Sequence, residues 1–337
     1  MGKKGKKAAK QTAGDSGGGA KKKVGPGKAR RERAATIRDL EARIATLAER
    51  LEIELEGVDV FSPLMERDDC PVCLTPLPLD TKDRAFMACC GNCVCAACNF
   101  LQSFQELKKL ATFDDKAAVV KILEDSPCAF CRSARGEREI EKYKNLAENR
   151  GDTEAMGFLA HEYLNGSKTF PKDELTAMGW YVRAAETGDP TALVNVAVMC
   201  SQGTVLEKNV GCAKKLAVAA AKKGCVDAHC LLGTFYRNDI KKAGPLRGQV
   251  CAKVLDHWKF AAAGGSRNIM KDLETFRDQY GRVTEEEFDH IKEEFKKAAK
   301  LEWTEEREEY RRDEFRGRLQ RMKEEKDQRA RARRTGN

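Results

Sequence analysis

Long apolar runs are what this sequence most plainly lacks. No stretch approaches the roughly 18 apolar residues of a membrane span, and no apolar segment follows the N-terminal lysines as a secretory signal would require. The two absences predict a soluble protein that stays inside the cell, in cytoplasm or nucleus. Histidine is scarce as well: His161, His229, His257 and His290 share no motif, so each reads as a packed or surface side chain. No phosphate-cradling loop, catalytic triad or paired-carboxylate site rises above chance, which leaves no catalytic residue and no organic cofactor to assign. Gly2 invites N-myristoylation, but that signal wants Ser or Thr at position 6, where Lys6 stands.

Acidic residues are nearly missing from one segment. Residues 1 to 33 hold 12 Lys and Arg against Asp15 and Glu32, a balance of +10, while the whole chain carries +9. Everything else therefore sums to 9 minus 10, or −1. So few apolar groups cannot offset the entropy of ordering, and the segment is predicted to be a disordered basic tail. A solubilising role and contact with nucleic acid or another anionic surface both fit it.

What is present begins with a helix. Over 34 to 56, Ile37, Leu40, Ile44, Leu47 and Leu51 recur at alternating spacings of three and four among Arg and Glu, which is a heptad seam. At this length it serves equally as a short coiled-coil dimer or as one amphipathic helix docked on the next domain. Further along, Gly151-Asp152-Thr153-Glu154-Ala155 repeats as Gly188-Asp189-Pro190-Thr191-Ala192 and as Gly224-Cys225-Val226-Asp227-Ala228. Alanine pairs (Ala184-Ala185, Ala220-Ala221, and Ala261-Ala262 in a looser fourth copy) precede the closing glycines. Small residues let two helices cross closely, and a glycine ends the second helix. Leu159, Tyr163, Trp180, Tyr181, Val196 and Leu216 are the expected filling between units that must stack to bury their faces. Thr284 and Glu287 form a capping box opening a last helix, with the stripe Phe288, Ile291, Phe295, Ala298 and Leu301 placed to cover the end of the stack.

Cysteine is abundant: of 14, nine lie between Cys70 and Cys131. Without an export signal, they read as thiols and metal ligands rather than disulfides. The pairs Cys70-x-x-Cys73, Cys95-x-x-Cys98 and Cys128-x-x-Cys131 have the spacing at which a tight turn aims two thiolates at one tetrahedral ion, and four thiolates favour zinc. Between them stand Cys89, Cys90 and Cys93, from which one more pair must come. The spacing suits Cys90 with Cys93. Cys200, Cys212, Cys225, Cys230 and Cys251 fall in the repeat region, where cysteine is a small apolar filler.

Two resemblances follow from these residues. Ala155-Met156-Gly157-Phe158-Leu159-Ala160, Gly166, Lys172-Asp173 and Trp180-Tyr181 with Ala184-Ala185 and Gly188 resemble Sel-1-like repeats, relatives of tetratricopeptide repeats. That likeness implies a protein-binding helical solenoid over 143 to 281. The cysteine order over 66 to 134 resembles a RING, whose cross-brace gives Cys70, Cys73, Cys95 and Cys98 to one zinc and Cys128 and Cys131 to a second. A RING variant found beside Sel-1-like repeats would complete the second site with Cys89 and Cys90. Asn92 stands where many RINGs carry a histidine ligand.

The RING likeness also implies a possible E3 ubiquitin-protein ligase that recruits a ubiquitin-conjugating enzyme through Val72, Arg132 and a central-helix contact among Phe100, Leu101 and Phe104. Ala129 replaces a proline often found there, with Pro127 on the other side of Cys128. The alternative is a scaffold in which two zinc ions are purely structural. The expected fold is mainly α: a small zinc-bound RING-like module, an α-solenoid of helical hairpins, and a long charged helix and tail over 284 to 337.

Overall fold

A computed structural model describes residues 26–78, 83–87, 89–99, 127–131, 139–166 and 170–301. Within them the chain forms α1 (Pro26–Glu54), a two-stranded sheet of β1 (Arg84–Met87) and β2 (Asn92–Cys95), and then helices only. These are α2 (Glu139–Asn149), α3 (Thr153–Asn165), α4 (Glu174–Glu186), α5 (Pro190–Gln202), α6 (Val210–Lys222), α7 (Val226–Asp239), α8 (Arg247–Ala263), α9 (Arg267–Tyr280) and α10 (Glu285–Leu301). Residues 26–33 of the expected disordered basic tail are instead helical, as the first turns of α1; residues 1–25 of that tail and the charged segment from 302 lie outside the described residues.

Helices α3 with α4, α5 with α6, and α7 with α8 pack as three successive hairpins, each leaning on the next. The sequence logic is visible in the contacts. Ala184, Ala185, Ala220, Ala221, Ala261 and Ala262 are completely buried, which is what close helix crossing demands. Gly151, Gly188 and Gly224 turn the chain with φ of 66°, 97° and 78°, a region closed to most side chains. After the first two of these turns an aspartate caps the next helix: Asp152 Oδ1 accepts from Ala155 N–H, and Asp189 Oδ1 from Thr191 and Ala192 N–H. In the third copy Cys225 holds the cap position without a capping bond. Gly233 lets α8 approach α7, since a Cβ there would fall 2.1 Å from Trp258 Nε1.

The last pair departs from this rule. Helices α9 and α10 both pack on α8 rather than closing a fourth hairpin of the same kind. The capping box is formed, with Thr284 N–H donating to Glu287 Oε2 at 3.1 Å and Glu287 N–H to Thr284 Oγ1 at 3.2 Å. Phe288 and Ile291 join a second core around Trp258 and Phe276, sealing the end of the stack.

The helix expected over 34 to 56 starts earlier, at Pro26, and its seam is spent inside the chain. Leu40, Ile44, Leu47 and Leu51 are buried in the main core, where α1 lies across α4 and α6. A bidentate ion pair from Arg43 to Glu186 (2.8 and 2.7 Å) and bonds from Arg50 to the Glu186 carbonyl and from Lys222 to the Leu55 carbonyl fix it there. Each buried leucine contributes about 2 kcal/mol from area alone. The docked helix, not the dimer, uses this seam.

Candidate metal centres

Residues 55–69 carry the chain from α1 across the solenoid to the cysteines. Met65 N–H donates to the Gly224 carbonyl at 3.0 Å, and Phe61 packs against His229, His257 and Phe260. The first cysteine pair follows. Cys70 and Cys73 flank a loop closed by Cys70 N–H to Thr75 O (2.9 Å) and Leu74 N–H to Cys70 O (2.8 Å). Leu74 adopts the left-handed conformation, φ 54°, a strained choice for a branched side chain that the sharp reversal after Cys73 enforces.

The second pair is made by a hairpin. β1 and β2 pair antiparallel with Met87 opposite Asn92, and Gly91 at φ 70° turns the chain so that Cys89 and Cys90 stand at its tip. Cys95 ends β2, and a helical turn at 96–99 presents Cys98 beside it. Cys128 and Cys131 form the last pair.

The pairs converge crosswise. The sulfurs of Cys70, Cys73, Cys95 and Cys98 all lie within 4.8 Å of one another, and so do those of Cys89, Cys90, Cys128 and Cys131. No disulfide joins any described cysteine. Four thiolates around one ion at 2.3 Å stand about 3.8 Å apart. The sulfur separations are 4.0 Å for Cys73 and Cys95, 4.0 Å for Cys89 and Cys90, 3.9 Å for Cys90 and Cys128, and 3.4 Å for Cys131 and Cys89. Both tetrads therefore can hold a metal ion. Backbone amides support the first: Cys95 N–H points at Cys70 Sγ and Cys98 N–H at Cys95 Sγ, each at 3.4 Å. Hydrogen bonds from the Cys95 and Cys98 thiols hold the Cys70 thiol well below its ordinary range, while Cys98 is pushed up.

Cys93 stays outside both tetrads. It faces Phe86 across the hairpin, and burial pushes its thiol up to about 12, so it remains a protonated packing group. Adjacent cysteines at a hairpin tip thus replace the Cys-x-x-Cys spacing that Cys90 and Cys93 offered. Val72 is half-buried against the first tetrad, with Leu74 beside it 77% exposed and Phe130 of the last loop 45% exposed. Arg132, Phe100, Leu101 and Phe104 lie outside the described residues.

The module is seated on the solenoid. Tyr143 of α2 donates to the Phe86 carbonyl at 2.9 Å and stacks on Phe158 of α3. Arg267 of α9 reaches Asp83 at 3.6 Å. The other cysteines behave as filler: Cys200, Cys225 and Cys251 are buried. Sequence reasoning missed one pairing. His229 and His257 meet inside the third hairpin with Nδ1 atoms 3.0 Å apart, and burial holds both near a pKa of about 4. Residue type alone carried no signal, because the two occupy unlike places in their helices.

Neither a family model nor a curated protein matches the chain. Among solved structures, it is similar to a Sel1 repeat protein from Oxalobacter formigenes, with 24% identity over 41% of this chain and 98% of that one and a TM-score of 0.33. It is also similar to c5321, a protective antigen of uropathogenic Escherichia coli displaying an SLR fold, with 18% identity over 60% of this chain and 41% of that one and a TM-score of 0.40. No helix among the described residues is long and apolar enough to cross a membrane.

Proposed function

We propose that the chain is a zinc-braced protein-interaction protein, in which Cys70, Cys73, Cys95 and Cys98 hold one zinc, Cys89, Cys90, Cys128 and Cys131 hold a second, and the solenoid takes a protein partner. The observation that carries this is the crosswise convergence of the two tetrads. All-thiolate donor sets select zinc, and sites closed by four protein ligands leave no position for a substrate, so the metal is structural. The repeats supply the binding surface, since stacked hairpins present a continuous face of side chains that their own packing does not use. Metal analysis of the purified full chain tests the reading: two zinc ions per chain are expected, falling to one in Cys128→Ser. One zinc in the wild type, or none, sinks it.

A second reading, ubiquitin ligase, is favoured by the exposed Leu74 and Phe130 on the two ligand loops, next to Val72. An apolar rim of this kind suits a ubiquitin-conjugating enzyme, which Arg132 would help to orient. Such a module does no covalent chemistry and accelerates transfer by holding the charged enzyme in a reactive pose. Autoubiquitination with a panel of conjugating enzymes decides it: loss of activity in Leu74→Asp and Arg132→Ala, with both zincs retained, is the expected result. Silence of the wild type across the panel leaves the scaffold.

A further inference from the structure

Between the β1–β2 hairpin and the solenoid runs a groove of about 250 Å³. Arg84, Phe86 and Cys93 form one wall; Glu154, Gly157 and Phe158 of α3, the α5 cap Asp189 and Asn195 of α5 form the other. Part of its acidity has a local explanation, because Asp189 caps α5 and Glu154 sits in the first turn of α3, where a carboxylate complements the helix dipole. Two features lack such an explanation.

The first is Tyr181 of α4. Its ring is buried, the residue being 4% exposed, while its hydroxyl, which has no hydrogen-bond partner among the described residues, is accessible from the groove it lines. Desolvation alone raises it to about 12, with no compensating donor or acceptor. The second is Gly157. It sits mid-helix without a positive φ, and a Cβ there would meet nothing within 4 Å. The glycine is therefore not needed by the fold, and it leaves the groove open where a side chain would fill it.

Glu154 makes no ion pair or hydrogen bond among the described residues; its side chain reaches solvent, and partial desolvation with the nearby Asp189, Asp152 and Asp68 raises its carboxyl above the usual range, against the opposing pull of Arg84. Asp189 spends only Oδ1 on its cap, leaving Oδ2 for a ligand. The groove thus offers a carboxylate, a second carboxylate oxygen and a hydroxyl, and the rings of Phe86 and Phe158 line it with them. An ammonium has three donors and no acceptor, and its aliphatic stem packs on apolar surface.

We propose that this groove binds a lysine side chain presented on an extended segment of a partner protein. The assignment rests on the protein-interaction reading of the solenoid and names the partner class for it. It does not depend on ligase activity. The two readings fail separately, because zinc content is measured on the same sample as binding.

The test uses the full chain with its zinc content verified, and a short fluorescein-labelled peptide with one central lysine, followed by anisotropy at physiological ionic strength. The same peptide carrying Nε-acetyl-lysine is the control. Binding of the lysine peptide alone is expected. Tyr181→Phe, which removes no intramolecular bond, weakens it about tenfold. Asp189→Asn, which keeps a capping side chain, weakens it similarly. Gly157→Leu, a better helix former than glycine, abolishes it with the fold intact by circular dichroism. Equal binding of the acetylated peptide, or unchanged affinity in folded Gly157→Leu, overturns the proposal. So does a gain of more than about tenfold on deleting residues 1–25, which would assign the groove to the chain's own lysines.

Discussion

The module and the solenoid hold themselves together by different means. Among the described residues, Cys70, Cys95, Cys98 and Cys128 are half of the eight buried residues of the module's cluster, beside Leu77, Met87, Val94 and Ala97. The solenoid is filled by leucine, valine, methionine and paired alanines. Where half of the described cluster is made of metal ligands, removing the metal removes the ties of the cluster itself. What the contrast teaches is a division of labour: metal is expected to be indispensable to one region and irrelevant to the other.

Chelation is the strongest way to break that comparison. Treating the full chain with a zinc chelator should abolish protease resistance around residues 70–131 while most of the helical circular dichroism stays; a simultaneous loss of helix would show that the solenoid leans on the module. Next in size is Leu47→Ala. It leaves a cavity where α1 meets α4 and α6 and should cost about 2–5 kcal/mol in denaturant melts, with zinc content unchanged. A cost below about 1 kcal/mol would mean that α1 is only loosely applied.

Acid sharpens the comparison further. Burial holds His229 and His257 at about 4 in the folded chain, below the ordinary histidine value of about 6.5. The unfolded chain therefore binds protons first, so their contribution is complete above pH 6.5 and is lost as pH falls through that value toward 4. Each should remove about 1 kcal/mol per pH unit from solenoid stability in that window. The double variant His229→Leu with His257→Leu should flatten this slope. The smallest effect expected is at the caps: Asp189→Ala should cost about 1 kcal/mol, whereas Cys225→Ala, which caps nothing, should lose only its sulfur packing.

The solenoid was legible because its determinants are local. Alanine pairs, turning glycines and the Thr284 box act within a few residues, so spacing alone places the hairpins. Six of the eight tetrad cysteines were legible for the same reason. The middle pair was not fixed by spacing. A hairpin register decides between Cys89 and Cys93, and register depends on how Arg84–Met87 meets Asn92–Cys95. Contacts across long separations were silent in the sequence. The seam of α1 looks the same whether its partner is a second chain or α6, and neither His229 nor Tyr181 announces its neighbour.

The docking of α1 also has a consequence for how the protein is made. Its partner α6 ends at Lys222, some 170 residues after Leu51. At about 5–20 residues per second, the leucine seam waits roughly ten to thirty seconds on the ribosome before its place exists. Arg38, Arg43, Glu49 and Arg50, interleaved with the leucines, guard it against aggregation during that delay. The same Arg43 then closes the finished fold on Glu186.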